Sequence, residues 1–171
     1  MLSDAKLEFR RHQNLAEAAL AELDDSRFFE LPGLQVNPIA LIVKHLAGNL
    51  RSRWTAFLTS DGEKPDRDRN REFVLTDSDT RDHLMNAWEQ GWAALWNTLE
   101  TLTDADLDRV VMIRSEPHTV RQAVLRSLTH TAYHTGQILY LVRLLQPESR
   151  WLTIAPGESR TDRGRYLEPR L

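Results

Sequence analysis

The sequence predicts an all-α protein built as a four-helix bundle. Two observations predict it. Four segments of about twenty residues repeat apolar side chains at three- and four-residue spacing, the period of an amphipathic helix. Strand-like alternation is almost absent. Four helices of that length bury their apolar sides best against one another. With 171 residues, the chain reads as one domain, 1–171, at about 100–200 residues per domain.

The first helix is predicted over about Ser3 to Asp25, with Phe9, Leu15, Ala19, Leu20 and Leu23 on its apolar side. The second begins at Asn37-Pro38, a good N-cap followed by a residue suited to the first helical position. It runs to about Thr59 and carries Leu41, Ile42, Leu46, Leu50, Trp54 and Phe57. The third spans about Asp79 to Leu102, with Ser78 or Asp77 as cap. Trp88, Trp92 and Trp96 lie four apart along one side of it. Such a stripe reads as a core seam, with a dimer interface as the alternative. The fourth opens with the capping box Thr119-Val-Arg-Gln122 and runs to about Gln146, before Pro147.

Between the second and third helices, Ser60 to Phe73 is polar and charged and contains Gly and Pro. It reads as a long surface loop, and loops of that length are usually functional or disordered. A long second connection permits a crossover. Thr103 to Asp108 reads as one helical turn, and Val110 to Ile113 as a short extended piece. After Pro147 a tail (147–171) with Trp151, Leu152 and Ile154 is expected to pack on the bundle.

Composition excludes several classes. Lys+Arg is 22 and Asp+Glu is 25, a net charge of −3, and no basic helix stands out, which argues against a nucleic-acid partner. There is no cysteine, so no disulfide, thiolate metal site or cysteine nucleophile exists. The longest apolar run, Ile39 to Val43, is far too short for a membrane span. The N-terminus lacks the apolar middle of a signal peptide, so a cytoplasmic location is expected.

The six histidines carry the chemical signal. His130 and His134 stand four apart in the fourth helix, which puts both rings on one face, one turn apart. The inward positions there run Ala123, Ser127, His130, Thr131, His134, Ile138, Val142 and Leu145. His45 lies in the apolar stripe of the second helix. Taken singly, each is most simply a neutral core group with one hydrogen bond. Three together need three sets of partners, whereas one divalent cation satisfies all three. Three protein ligands leave a coordination position open, as in catalytic sites. Thr131 stands where a zincin would need its general-base Glu. Asn49, one turn after His45, is a candidate to orient the ring. His118 reads as a loop residue, and His12 and His83 as surface groups. Tyr133 points away from the pair and is not assigned to the site. Glu116 reads as a surface acid.

The single inward His45 and the pair His130-x-x-x-His134 followed by Gly136-Gln-Ile resemble the DinB/YfiT-like proteins. Three blocks carry the likeness: KHLAGNLRSRWTAFLTSDGEKPDRDRNREF (44–73), IRSEPHTVRQAVLRSLTHTAYHTGQILYL (113–141) and WLTIAPGES (151–159). The resemblance implies a bundle with an up-down-down-up path, metal ligation by His45, His130 and His134, and a homodimer. Some relatives transfer or isomerise low-molecular-weight thiols, and many have no established reaction.

Two functions follow as expectations. One is a metal-dependent enzyme in which a divalent ion (zinc or nickel first, then iron or manganese) activates water or a substrate thiol. A thiol S-transferase acting on a small molecule is its sharpest form. Arg53, Lys64, Arg67, Arg69 and Arg71 could then hold an anionic substrate, or simply solvate the loop. The other is a non-enzymatic, dimeric metal-binding or stress-response bundle.

Overall fold

The computed structural model describes residues 1–153 and 155–157. These residues form five α-helices, two short 3-10 turns and one two-stranded sheet. The chain is mostly helical, as expected; the differences are at helix ends, in a separate short helix and in the two-stranded sheet.

The first predicted helix is two. Helix α1 covers Leu2–Ala21, and α2 covers Asp25–Phe29. The Asp24 carboxylate accepts the Arg27 N–H at 2.8 Å and restarts the chain as a new helix. Helix α3, Ile39–Trp54, takes Pro38 rather than Asn37 as its N-cap, and the Pro38 carbonyl accepts from Leu41 and Ile42. It stops at Trp54, short of Thr59, because Ala56 adopts a left-handed φ of 48° and backbone in that region cannot continue a helix. Helix α4, Arg81–Thr101, is capped by Thr80, whose hydroxyl accepts the His83 N–H, and not by Ser78 or Asp77. Asp79 stays outside the helix, where its carboxylate accepts from Thr76 N–H and Lys44 Nζ. Helix α5, Val120–Leu145, has both halves of the expected capping box, Thr119 to Gln122 and back. The predicted turn after Leu102 is the 3-10 turn Asp104–Asp106.

The expected extended piece is strand β1, Val110–Ile113, and it has a partner the sequence did not signal, β2, Glu116–Thr119. The strands pair antiparallel, Val110 opposite Thr119 and Ile113 opposite Glu116. Arg114 and Ser115 join them, both with positive φ (55° and 61°). A two-residue turn of that kind normally carries Asn or Gly. Here the Asp61 carboxylate accepts the N–H of both residues, at 2.8 and 2.7 Å. The loop after α3 is thereby tied to the hairpin, and Gly62 N–H adds a bond to the Met112 carbonyl.

Helices α3 and α4 pack side by side and run in the same sense. Lys44 meets Asp79 just before α4, Ala47 lies against Gly91, and the Trp54 carbonyl accepts the Thr98 hydroxyl. Helix α5 runs the other way past α3, His45 facing His130 and Trp54 Nε1 donating to Ser127 Oγ. The tryptophan stripe is core: Trp88 and Trp92 are fully buried. Trp88 and Trp96 hand their indole N–H groups to Glu17 and Gln13 of α1. Trp96, at the end of the stripe, is half-buried. Of the tail, Leu152 is buried, while Trp151 is partly exposed beneath the Arg143 guanidinium. Ile154 and the chain beyond residue 157 lie outside the described residues. No helix among the described residues is long and apolar enough to cross a membrane.

Two predictions follow from this frame. A Cβ at Gly91 would stand 2.8 Å from the Ala47 carbonyl oxygen, so Gly91→Ala forces α3 and α4 apart. The net cost should be about 1–2 kcal/mol after the gain in helix propensity, read as a fall of about 3–8 °C in Tm. For Asp61, burial pushes the carboxyl up, but the N–H groups of Glu63, Ser115 and Arg114 and the charge of Lys64 outweigh it and leave the pKa below its ordinary value. A group lowered by folding contributes stability above its unfolded pKa and loses it as pH falls through the folded one. Urea titrations should therefore show wild type more stable than Asp61→Asn at pH 6, with the gap closing below about pH 4.

Candidate metal centre

Three histidines come together from two helices. His45 projects from the middle of α3 and is 5 % exposed. His130 and His134 project from one face of α5, each half-buried. One ring nitrogen from each lies within 4.8 Å of the others. His130 Nε2 stands 3.2 Å from His45 Nε2 and 3.1 Å from His134 Nε2. Two nitrogens bound to one ion at about 2.1 Å with near-tetrahedral angles stand about 3.4 Å apart. The two pairs that include His130 are thus within a few tenths of an ångström of chelating spacing.

The outer nitrogens decide where the lone pairs point. His45 Nδ1 is 2.8 Å from Glu72 Oε2. A carboxylate only accepts, so His45 donates from Nδ1 and, when neutral, leaves a lone pair on Nε2. His134 Nδ1 is 2.7 Å from Gln137 Oε1 and is fixed in the same way. Both lone pairs then face His130 Nε2. A proton there cannot serve both well, and His130 Nδ1 is buried without a partner to fix its tautomer. A cation satisfies all three nitrogens at once. His130 and His134 are also held uncharged, as ligation requires. Burial, then the charges of His134, His45, Arg67 and Arg53, push His130 down to about 3. Burial likewise lowers His134, with the Gln137 contact opposing.

Glu72 is the residue that sequence reasoning missed. It is buried on the 3-10 turn Arg71–Phe73, inside the charged connection. Its oxygens accept from Arg67 Nε at 2.7 Å and Nη2 at 2.9 Å as well as from His45. Burial raises its pKa, but the bonds to His45 and Arg67 outweigh it and hold Glu72 below the usual carboxylate range. A carboxylate behind a ligand histidine orients the ring and raises its basicity. The room for it comes from Gly48, where a side-chain methyl would collide with Glu72 Oε1. That glycine, mid-helix and one turn from His45, was the available signal.

The other expected residues are dispersed. Asn49 is half-buried on α3, and Glu72, not Asn49, is the partner of His45 Nδ1. Arg67 is committed to Glu72 and Glu63. Lys64 Nζ donates to the Ser52 and Asp61 carbonyls. Arg69 and Arg71 are exposed. Arg53 is buried and makes no ion pair among the described residues. Glu116 is exposed on β2. His118, expected in a loop, lies on β2 beside Arg126. His83 is exposed, but His12 is half-buried rather than on the surface. Tyr133 is exposed, with its ring edge-to-face on His134 at 5.4 Å. Phe73, partly exposed, covers His45 at 4.8 Å.

Gly48→Ala should push Glu72 off His45 without touching a histidine. Imidazole 15N shifts of metal-free protein should show His45 losing its fixed Nδ1–H tautomer in this variant and in Glu72→Gln. An unchanged His45 signal in both would show that Glu72 does not set the tautomer.

A crystal structure of a conserved protein from Enterococcus faecalis superposes with a TM-score of 0.60 at 16 % identity, covering 84 % of this chain and 95 % of that one. At that identity the likeness speaks for the fold alone. No curated protein matches the chain. Residues 1–158 match the family described as protein of unknown function DUF1572, which is the DinB/YfiT-like family. The chain, with its three-histidine cluster, belongs to that family.

Proposed function

We propose that His45, His130 and His134 hold one divalent metal ion, zinc or nickel before iron or manganese, in a metal-dependent enzyme. The observation that carries it is the convergence of Nε2 atoms whose tautomers Glu72 and Gln137 set from behind. The four long helices are read as a bundle with an up-down-down-up path. The shared direction of α3 and α4, and the opposite run of α5, support that reading.

Such an ion would lower the pKa of a water or of a substrate thiol at its open position. The chain's own residues hold His130 and His134 neutral, aim the rings and screen one side with Phe73. With no cysteine in the chain, a sulfur nucleophile would have to come from the substrate. A thiol S-transferase in the cytoplasm is the form best matched to the family resemblance. The half-burial of His130 and His134, and the lack of a fourth protein ligand beside them among the described residues, favour an open reaction centre over a closed structural site. A homodimer rests on the resemblance, and light scattering tests it.

Elemental analysis of tag-free protein decides the reading. About one divalent ion per chain is expected, absent from the double variant His130→Ala/His134→Ala. Glu72→Gln should retain the ion but bind it about 10- to 100-fold more weakly. Metal in neither protein, after incubation with zinc, nickel and manganese salts, overturns it. Metal-dependent consumption of a low-molecular-weight thiol, abolished in His134→Ala, would establish the transferase.

A further inference from the structure

Among the described residues, Arg53 is the charged side chain near the centre whose burial no partner explains. It is 6 % exposed, its Nη1 is buried without a hydrogen-bond partner, and no ion pair reaches it among the described residues. A guanidinium in that state is costly, and native structures pair it. Its charged neighbours make matters worse. Burial, then repulsion from Arg126, Arg67 and Arg114 with Glu63 opposing, bring its pKa down to about 10. Glu63 is already shared by Arg67, Arg69 and Arg114. Arg126 Nη1 stands 3.0 Å from His118 Nε2, and no ion pair reaches Arg126 among the described residues.

The position is built. A Cβ at Gly62 would stand 3.2 Å from Arg53 Nη1 and 3.1 Å from its Cδ, so the guanidinium lies flat along bare backbone. Gly62 is pinned by Ser52 Oγ on its carbonyl and by the Met112 carbonyl on its N–H. The position also adjoins the histidines. Arg53 is two turns from His45 on α3, about 12 Å of rise, and Arg126 one turn from His130 on α5, about 6 Å.

We propose that Arg53 and Arg126 bind an oxyanion, a carboxylate or a phosphate, of a small-molecule ligand whose other end reaches the three histidines. The fork of Arg53 matches such a group, and a negative charge there relieves the repulsion among the arginines. This names the class of substrate for the centre proposed above and rests on that reading for the direction of the ligand. The anion site itself does not need the metal.

Thermal unfolding of chelator-treated protein tests the site, with inorganic phosphate and succinate as probes against sodium chloride of equal ionic strength. Phosphate or succinate at about ten times its dissociation constant should raise the wild-type Tm by about 3–5 °C. The responding probe identifies the preferred anion. Arg53→Met should lose the response, and in chloride it should be at least as stable as wild type, since a buried unpaired charge has gone. Arg126→Met, a change at an exposed residue, should weaken the response several-fold and stands in if Arg53→Met does not fold. No shift beyond chloride in wild type overturns the proposal, as does a full response in Arg53→Met or in Arg126→Met. A response confined to metal-loaded protein also overturns it, because the anion would then sit on the ion. Failure of metal uptake alone, with the anion response intact, would count against the metal reading only.

Discussion

The buried Glu72 carboxylate is the contact on which the site and its surroundings depend. One oxygen pair serves His45 on α3 and Arg67 of the following connection. A carboxylate so placed would be prohibitive alone. With a guanidinium fork on one side and an imidazole N–H on the other it is satisfied, and it draws loop, helix and ring into one arrangement. Arg67 is anchored in turn by Glu63, and Glu63 by its place next to Asp61 and Gly62, which hold the hairpin. The aim of a histidine on α3 is therefore connected, bond by bond, to the turn of a sheet, whose Arg114 lies 53 residues beyond Asp61.

Much of this was legible. Period-3.6 apolar patterning marked the long helices, and the Thr119–Gln122 box marked the start of α5 to the residue. The histidine trio was legible because two ligands share one helical turn and the third lies in an apolar stripe. Helix ends were less so. They turned on Ala56 going left-handed and on Thr80 outcompeting two nearby caps, choices of similar free energy that tertiary contacts tip.

Glu72 was illegible for a different reason. It is 27 residues from His45, in a run of alternating acids and bases where any one looks solvated. What singles it out is space, and the space is an absence, the missing side chain of Gly48. Asn49, adjacent to that glycine, has the chemistry, but Glu72 holds His45 Nδ1. The second strand was hidden because Glu116-Pro-His-Thr119 has little strand propensity and its turn lacks Gly or Asn. Asp61, distant in sequence, supplies what those residues would have supplied.

The parallel run of α3 and α4 has a consequence for reach. A chain that ends α3 at Trp54 and begins α4 at Arg81 must travel back along the helix. Sixteen residues of α3 rise about 24 Å, which extended chain covers in about seven residues. The connection is more than three times that length. Its slack, costing little in closure entropy because that cost grows only with the logarithm of length, is what lets Arg67 and Glu72 fold inward beneath His45. The return path is thus spare cable. Trimming it to the minimum would still join the two helices, but it would leave His45 with nothing behind it.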